Sequence, residues 1–269
     1  DIGGQFMVSG EVLNYPGITK TTGVEFSSKL EEQLKFNNIS PIKETIKEIK
    51  KQDKFFKIIT NKKEYETKTV ILATGARARE LGVPGEQEFK NRGITYCSIC
   101  DGPLFAGKEV AVIGGGDAAL EAVDFLKDIV SKIYLLVKGD KFTGHEYLIE
   151  RINQNQKIEV IFNADTTKID GTQFVECIKY QHKGQEKELK VQGVIVEIGR
   201  IPNTEPFKNL LQLDNHKHII IDCQTNTSIP GIFAAGDCAS GHEYQYVIAA
   251  GQGCMALIKT ARYLADNNL

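Results

Sequence analysis

A glycine turn between an apolar strand and an apolar helix constrains the fold of this 269-residue chain more than any other feature. The apolar run 109–113 predicts a buried strand, which leads directly into Gly114 and Gly116. A helical pattern follows, and Ala119 takes the last position of the motif G-x-G-x-x-[GA]. A second apolar run, 133–137, completes a βαβ unit. The pattern predicts an α/β fold that contains a dinucleotide-binding domain.

Glycines at this turn have a physical purpose, because they let backbone amides approach a pyrophosphate at the positive end of the helix. A tight turn without a ligand is the alternative interpretation. If the turn does bind a nucleotide, the contacts are expected from the turn itself, the first helical turn and the end of the second strand. We therefore predict the nucleotide-binding residues Gly114, Gly116, Asp117, Ala118, Ala119 and Lys138.

A second motif pairs two cysteines, Cys97 and Cys100, with an adjacent carboxylate, Asp101. Disulfide exchange needs an attacking thiolate, a second thiol that resolves the mixed disulfide and a nearby proton donor. The same spacing also occurs in buried structural cysteines and in zinc sites. Zinc would require further ligands at close spacing, and the other four cysteines are widely separated. We predict these three residues as catalytic and expect no metal site.

Composition narrows the function classes. Six cysteines are too few for a secreted disulfide scaffold of this length, which favours a reducing compartment and a cytoplasmic protein. The net charge of −2 gives no basic surface for nucleic acid. Apolar runs stay shorter than the roughly 18 residues of a membrane helix. The expected substrate is therefore a small molecule or another protein.

The remaining patterns predict further elements. An amphipathic helix is expected at 24–36, a hairpin from 55–59 and 68–72, and a late strand that leads into a turn at 232–237. The runs 157–162, 174–180 and 189–198 predict a meander. For the last helix, the expected inner stripe consists of Val247, Ala250, Cys254, Leu257, Ala261 and Leu264, with Cys254 in a packing role.

Additional motifs accompany the dithiol and the glycine turn: Gly3-Gly4-Gln5, Val12-Leu13-Asn14-Tyr15-Pro16-Gly17, Ala73-Thr74-Gly75 and the run 227–237. Together they resemble the low-molecular-weight thioredoxin reductases, which are class II pyridine nucleotide-disulfide oxidoreductases. The resemblance implies two Rossmann-like three-layer domains and a homodimer. It places the discontinuous FAD-binding domain at 1–80 and 206–269, and the inserted NAD(P)-binding domain with the dithiol at 81–205.

The resemblance also implies an activity, thioredoxin-disulfide reduction. Electrons would pass from NADPH through FAD and the Cys97/Cys100 pair to thioredoxin or a thioredoxin-like protein. In this family Cys100 lies nearer the flavin, Cys97 exchanges with the partner disulfide and Asp101 moves the proton. The family's FAD contacts correspond to Gly4, Gln5, Asn14, Thr74, Gly75, Asp237 and Gln245.

Two departures from the family pattern leave alternatives open. The opening βαβ unit for the FAD pyrophosphate, about 30 residues, is missing from the start. The family's His-Arg-Arg clamp for the NADPH 2′-phosphate is replaced by Val137-Lys138-Gly139, with Thr143 where a later arginine is expected. NADH or reduced ferredoxin could therefore be the donor, and a glutaredoxin-like or peroxiredoxin-linked protein the acceptor. An inactive fragment that has lost FAD is the remaining alternative.

Overall fold

The computed structural model describes residues 2–8, 12–241 and 244–267. Within these residues the helices are α1 (Gly23–Phe36), α2 (Ser98–Asp101), α3 (Asp117–Leu126), α4 (Glu146–Asn153) and α5 (Tyr246–Asp266). The strands are β1 (Ile46–Lys51), β2 (Phe56–Thr60), β3 (Glu64–Thr67), β4 (Val70–Leu72), β5 (Ala76–Ala78), β6 (Ile94–Thr95), β7 (Glu109–Ile113), β8 (Lys132–Val137), β9 (Ile158–Phe162), β10 (Ala164–Gly171), β11 (Val175–His182), β12 (Gln185–Lys190), β13 (Gly193–Val196), β14 (Arg200–Pro202) and β15 (Ile232–Ala234).

The chain divides into two compact units. Unit 1 is formed by two separate segments, Asp1–Arg77 and Ile201–Leu269, and unit 2 is the continuous stretch Ala78–Arg200 between them. The two segments where the chain crosses between the units, β5 and β14, pair with each other. The predicted α/β class is confirmed.

Unit 2 is built on a parallel five-stranded sheet of order β6-β13-β7-β8-β9. Its central strand β7 is apolar without alternation, because both faces of the sheet are covered, and Val110, Ala111 and Val112 are fully buried. Helices α3 and α4 pack on one face. The antiparallel sheet β10-β11-β12 packs on the other. These three layers place the glycine turn at the carboxyl end of β7.

The predicted meander was only partly right. The first run, 157–162, forms β9, which extends the parallel sheet beside β8. The last run, 189–198, is divided between β12 and β13, which lie in different sheets. The actual meander is β10-β11-β12, and its first strand was not predicted. The apolar run 189–198 hides the division because Val191 and the fully buried β13 continue the apolar pattern of Leu189.

In unit 1, helix α1 forms where the amphipathic pattern predicted it. Its first turn is fixed by a capping box, in which Thr22 accepts from the backbone of Glu25 and the Glu25 carboxylate accepts from the backbone of Thr22. Phe26 on its inner face is buried and stacks on Phe6. The helix therefore follows both its local signals and its packing.

The predicted hairpin of 55–59 with 68–72 was wrong. Strand β2 pairs antiparallel with β1 and β3, and its hairpin partner is β3. The run 70–72 is β4, which instead pairs parallel with the predicted late strand, β15. The register joins Val70 to Ile232 and Leu72 to Ala234. A partner so distant in sequence cannot be read from local alternation.

The predicted inner stripe of α5 was also wrong. Cys254 is exposed, so it does not have the predicted packing role, and Leu257 is 62% exposed. The buried position is Ala256, which packs with Phe233 of β15 while Tyr263 lies partly buried beside it. Gln252, in the same helix, accepts a hydrogen bond from the backbone of Gly236 at 2.7 Å. The contacts of this helix are formed by Ala256, Gln252 and the rings of Tyr246 and Tyr263, and the predicted apolar stripe lies outside them.

Among the described residues, none of the helices combines the length and apolar character that crossing a bilayer requires.

Candidate active site

The two motif cysteines form a disulfide at a junction between strand and helix. Strand β6 ends at Thr95, and helix α2 begins at Ser98, one residue after Cys97. The Cα atoms of Cys97 and Cys100 are 5.4 Å apart, and the backbone N–H of Cys100 donates to the Cys97 sulfur at 3.1 Å. Cys100 is exposed and Cys97 is half-buried. The sulfur pair is therefore presented at the surface with a backbone donor directed at Cys97.

Asp101, the predicted proton carrier, is held by Thr95. The Thr95 hydroxyl donates to the Asp101 carboxylate. The hydroxyl oxygen of Thr95 also accepts the backbone N–H of Cys97 at 3.1 Å. Thr95 is only 4% exposed. The sequence interpretation did not include Thr95, although its place at the end of the strand that delivers the dithiol could have indicated it. One buried hydroxyl thus connects the acid to the backbone of the first cysteine.

A second carboxyl near the dithiol, Glu197, was also missed. It lies just after β13, and the backbone N–H of Ser98 donates a hydrogen bond to it. Burial raises the pKa of Glu197 to about 7, and both the positive charge of Arg200 and the Ser98 hydrogen bond act against this rise. The sequence feature that could have indicated Glu197 is an acidic residue within the apolar run 189–198.

The glycine turn of the predicted nucleotide site is close-packed. A Cβ on Gly114, whose φ is +147°, would lie 2.2 Å from the carbonyl oxygen of Glu197. A Cβ on Gly115 would lie 2.7 Å from a methyl carbon of Val137. Helix α3 begins at Asp117, directly after Gly116. Glycine is therefore required at positions 114 and 115, because any side chain there would collide with neighbouring atoms of the protein itself.

A cleft of about 660 Å³ opens beside this turn. Five predicted nucleotide residues line it: Gly114, Gly116, Asp117, Ala118 and Lys138. The sixth, Ala119, is buried behind the turn. The Lys138 ammonium pairs with the Asp165 carboxylate at 3.0 Å, and the Thr143 backbone N–H donates to the Gly115 carbonyl at 2.8 Å.

The seven predicted flavin residues all belong to unit 1. The Asn14 amide donates to the Gln245 side chain at 3.0 Å, although the two residues are 231 positions apart. The Gln5 amide donates to the Ala76 carbonyl at 3.0 Å, and the Tyr246 hydroxyl donates to the Gln5 carbonyl at 3.1 Å. Side-chain amides from distant parts of the sequence are thus brought to one region.

Thr74 and Gly75 are fixed by a residue that the sequence interpretation did not include, Asn203. The Thr74 hydroxyl donates to the Asn203 carbonyl and the Asn203 amide donates to the Thr74 carbonyl, each at 2.9 Å. The Asn203 backbone N–H donates to Gly75, also at 2.9 Å. Gly75 has a φ of +64° with open space where a Cβ would lie, and so has Gly4 at +48°. These glycines leave the backbone accessible to a ligand.

Asp237, the remaining predicted flavin residue, follows β15 in the short 3-10 helix Gly236–Cys238. Throughout the part of the chain that the structure describes, no group of three or more His, Cys, Asp or Glu side chains is placed to hold a metal ion.

Comparison with known proteins agrees with these features. The sequence profile of the family described as "Pyridine nucleotide-disulphide oxidoreductase" matches residues 3–261. The chain is 40% identical over 268 residues to "NADH dehydrogenase" of Bacillus subtilis (strain 168), covering 98% of this chain and 53% of that protein. It is 37% identical over 272 residues to an alkyl hydroperoxide reductase subunit of Staphylococcus aureus (strain MSSA476), covering 99% and 53%. The chain thus spans about half the length of these two relatives.

Among solved structures, the thioredoxin reductase of Lactococcus lactis matches with a TM-score of 0.87 at 32% identity, covering 98% of this chain and 88% of that one. This likeness confirms the predicted resemblance to thioredoxin reductases and the Rossmann-like fold.

Proposed function

Because this chain belongs to the pyridine nucleotide-disulphide oxidoreductase family, we propose that it transfers two electrons from a nicotinamide nucleotide, with FAD as cofactor, to a protein disulfide by way of Cys97 and Cys100. The observation that carries the proposal is the Cys97–Cys100 disulfide, held beside Asp101 at a junction between strand and helix. Bound FAD supplies two-electron redox chemistry that connects hydride donors with disulfides. The finer reaction, reduction of thioredoxin, is the first candidate.

The residues of the dithiol suit disulfide exchange. The Cys97 sulfur accepts the backbone N–H of Cys100, and exchange begins when the reduced pair presents Cys97 as a thiolate. That thiolate attacks a partner sulfur, the partner S–S bond breaks and a mixed disulfide forms. Cys100 then attacks Cys97, which restores the Cys97–Cys100 disulfide and passes two electrons and two protons to the partner. Asp101, positioned by Thr95, carries a proton in this exchange.

The residues of unit 1 fit a flavin. We assign the contacts to the predicted set: Gly4, Gln5, Asn14, Thr74, Gly75, Asp237 and Gln245. Support comes from the open, positive-φ glycines and from the amides of Asn14 and Gln245, which can donate to polar ring atoms. In unit 2, the glycine turn and its cleft fit a dinucleotide.

The nucleotide donor has two candidates, and three observations support NADH as a donor beside NADPH. The Lys138 charge is paired with Asp165, and no arginine lies between Val137 and Thr143 to hold a 2′-phosphate in a fork. The relative from Bacillus subtilis is named an NADH dehydrogenase. We therefore propose NADH as a second candidate donor beside NADPH.

The acceptor also has two candidates. The solved structure from Lactococcus lactis is a thioredoxin reductase, which supports thioredoxin or a thioredoxin-like protein as partner. The resemblance to that family also implies a homodimer. The relative from Staphylococcus aureus is named as a subunit of an alkyl hydroperoxide reductase, which supports a partner linked to peroxide reduction. Both partners would present a disulfide to the same sulfur pair.

Anaerobic mixing of the FAD-loaded protein with NADH, NADPH or reduced ferredoxin tests the proposal. A nicotinamide nucleotide should bleach the flavin absorbance, and two thiols should then appear at Cys97 and Cys100. Adding an oxidised thioredoxin should restore the disulfide. Bleaching by neither nucleotide, or an unchanged thiol count after bleaching, would contradict the proposal.

Nucleotide choice can be tested with Asp165→Asn. The variant removes the acidic partner of Lys138 and should improve the use of NADPH relative to NADH by up to about fivefold, since loss of an exposed ion pair changes binding by up to about 1 kcal/mol. Asp140→Asn, an exposed carboxylate in the loop that contains Lys138, is the matched control and should leave the ratio unchanged. An unchanged ratio in both variants would show that Asp165 does not shape the choice.

A further inference from the structure

Glu86 is a buried glutamate of unit 2, only 1% exposed, and its carboxylate accepts three hydrogen bonds. The backbone N–H groups of Leu81 and Gly82 donate to it at 2.8 Å and 2.7 Å. The Tyr96 hydroxyl donates to it at 2.8 Å. A buried charge is tolerated when it is well hydrogen-bonded, so these donors explain why the carboxylate can lie inside the protein. The third donor belongs to the residue directly before Cys97.

The segment that carries Glu86 is fixed to the antiparallel sheet of unit 2. The Ile169 backbone N–H in β10 donates to the Pro84 carbonyl at 3.0 Å. A Cβ on Gly85, whose φ is +87°, would lie 1.8 Å from the Ile169 carbonyl oxygen, so glycine lets the two backbones approach closely. Glu86 is therefore held at a fixed place in the fold rather than on a free loop.

The Tyr96 side chain is held from two directions. Its hydroxyl donates to Glu86, and the Lys90 ammonium lies 5.1 Å from the centre of its ring. Burial, together with the hydrogen bond to Glu86, raises the pKa of the Tyr96 phenol, which therefore stays protonated as a donor. The hydroxyl of the neighbouring Thr95 accepts the backbone N–H of Cys97. The two residues before Cys97 are thus both anchored through their hydroxyl groups.

We propose that Tyr96 is a positioning residue for the sulfur pair, and that its hydrogen bond to Glu86 fixes the backbone before Cys97 so that Cys100 can reach the Cys97 sulfur. The Cα atoms of the two cysteines are 5.4 Å apart, within the range that a disulfide requires. Ring closure is faster when both sulfurs are already held near each other, since less freedom must be lost. Tyr96 itself contacts no substrate in this proposal, which rests on the proposed function only in treating the pair as a reversible dithiol.

Ring closure of the reduced pair can be followed with an aromatic disulfide, dithiobis(nitrobenzoate). One cysteine thiolate attacks a sulfur of the reagent, the S–S bond of the reagent breaks, a mixed disulfide forms and one thionitrobenzoate leaves. The other cysteine thiolate then attacks the protein sulfur of the mixed disulfide, which forms the Cys97–Cys100 bond and releases a second thionitrobenzoate. The protons of the two thiols go to solvent. The first release therefore measures the reactivity of a thiol, and the second measures ring closure.

Stopped-flow absorbance with one equivalent of this reagent tests the proposal. Every protein carries Cys177→Ser, Cys223→Ser and Cys254→Ser, so that the sulfur pair and the buried Cys238 are the cysteines that remain. In Tyr96→Phe the second release should slow about three- to tenfold relative to this background protein, which is part of what a hydrogen bond to a carboxylate contributes. The first release should be nearly unchanged, because the thiols themselves are intact.

Tyr134→Phe is the matched control. Tyr134 is also partly buried in unit 2, its hydroxyl donates to the Glu109 carboxylate at 3.0 Å, and the Lys132 ammonium lies 4.3 Å from its ring centre. Both releases should keep their background rates in this variant. Glu86→Gln, in which a neutral amide replaces the carboxylate, should slow the second release as Tyr96→Phe does. The decision rests on Tyr96→Phe, which keeps the aromatic ring in place.

A second release that is equally fast in Tyr96→Phe and the background protein, or slowed as much in Tyr134→Phe, would overturn the proposal. Equal slowing of both releases in Tyr96→Phe would also overturn it, because a general loss of structure would then be the cause. No flavin, nucleotide or partner protein takes part in the assay, so failure of the proposed electron transfer would leave its result intact. A background protein that shows no second release would contradict the redox pair itself, and with it both the proposed function and the role of Tyr96.

Discussion

The Thr95 hydroxyl donates a hydrogen bond to the Asp101 carboxylate and accepts the backbone N–H of Cys97. The acid that the exchange requires is thereby held by the same buried side chain that fixes the first cysteine. A free carboxylate on a four-residue helix would have no comparable restraint. The carboxylate of Asp101 is therefore restrained by Thr95 of β6 in addition to the hydrogen bond within its own helix.

Thr95→Val should slow reduction of the partner disulfide about tenfold or more, because it removes a charge-assisted hydrogen bond of roughly 1.5–3 kcal/mol. Turnover with an oxidised thioredoxin measures the effect. Thr95→Ser keeps the hydroxyl and should retain most of the activity. Equal rates in Thr95→Val and wild type would show that Asp101 does not need this anchor.

Cys100→Ser and Cys97→Ser should each abolish reduction of the partner, since one sulfur cannot complete the exchange. Flavin reduction by the nucleotide should remain in both variants, because it precedes the dithiol in the proposed electron order. Stopped-flow absorbance separates the two steps. Cys254→Ser, which alters an exposed cysteine outside the dithiol, is the control and should be active. Loss of flavin reduction in either dithiol variant would contradict the order.

Gly114→Ala should destabilise unit 2 and weaken nucleotide binding, because its methyl group would lie 2.2 Å from the Glu197 carbonyl oxygen. We expect a loss of about 1–3 kcal/mol from the free energy of unfolding, which urea denaturation measures. Gly139→Ala, where a Cβ meets only ordinary contacts, should be nearly neutral in stability. Similar losses in the two variants would show that close approach at Gly114 is not the cause.

Asn203→Ala should weaken FAD binding about tenfold, because the loop at Thr74 and Gly75 loses the amide that holds the Thr74 carbonyl. Titration of the apoprotein with FAD, followed by flavin fluorescence, gives the dissociation constant. Asn203→Asp also lacks this amide donor and should be impaired as well, although it keeps an acceptor for Arg77, which donates to the Asn203 side chain at 3.0 Å. If only the alanine variant is impaired, the Arg77 contact rather than the Thr74 contact is the important one.

Glu197 should also affect stability as a function of pH. Burial raises its pKa from 4.5 to about 7, so the folded protein binds this proton more tightly than the unfolded chain. Its contribution to stability is present below about pH 4.5 and is lost as the pH rises to about 7. The unfolding free energy of wild type relative to Glu197→Gln should therefore fall by about 3 kcal/mol across this range. Urea denaturation at pH 4.5, 6 and 8 measures the difference, and a constant difference would contradict the raised pKa.

The elements that formed as predicted are those whose sequence signals lie close together along the chain. The βαβ unit around Gly114 and the capped helix α1 formed as expected. The run 189–198 was wrongly predicted as one strand, because the apolar pattern hardly changes between β12 and β13. The two strands lie in different sheets, and only tertiary pairing separates them. The face of α5 was missed because its packing uses Ala256 and Gln252 rather than its bulkier apolar residues.

For the candidate site, motifs predicted residues that carry chemistry and missed those that position them. The Asn203 contact with Thr74 spans 129 residues, and Glu197 reaches Ser98 from the end of a strand far along the chain. No spacing rule connects such positions. Only the arrangement of strands brings them together.

The division of unit 1 into two segments has a consequence for biosynthesis. All five strands of the parallel sheet in unit 2 lie within one uninterrupted stretch, whereas Val70 must wait for Ile232 to be translated before β4 gains its neighbour. On the ribosome, the middle of the polypeptide can therefore mature while the flanking unit is still open, and β4 gains its native neighbour only after unit 2 has been made.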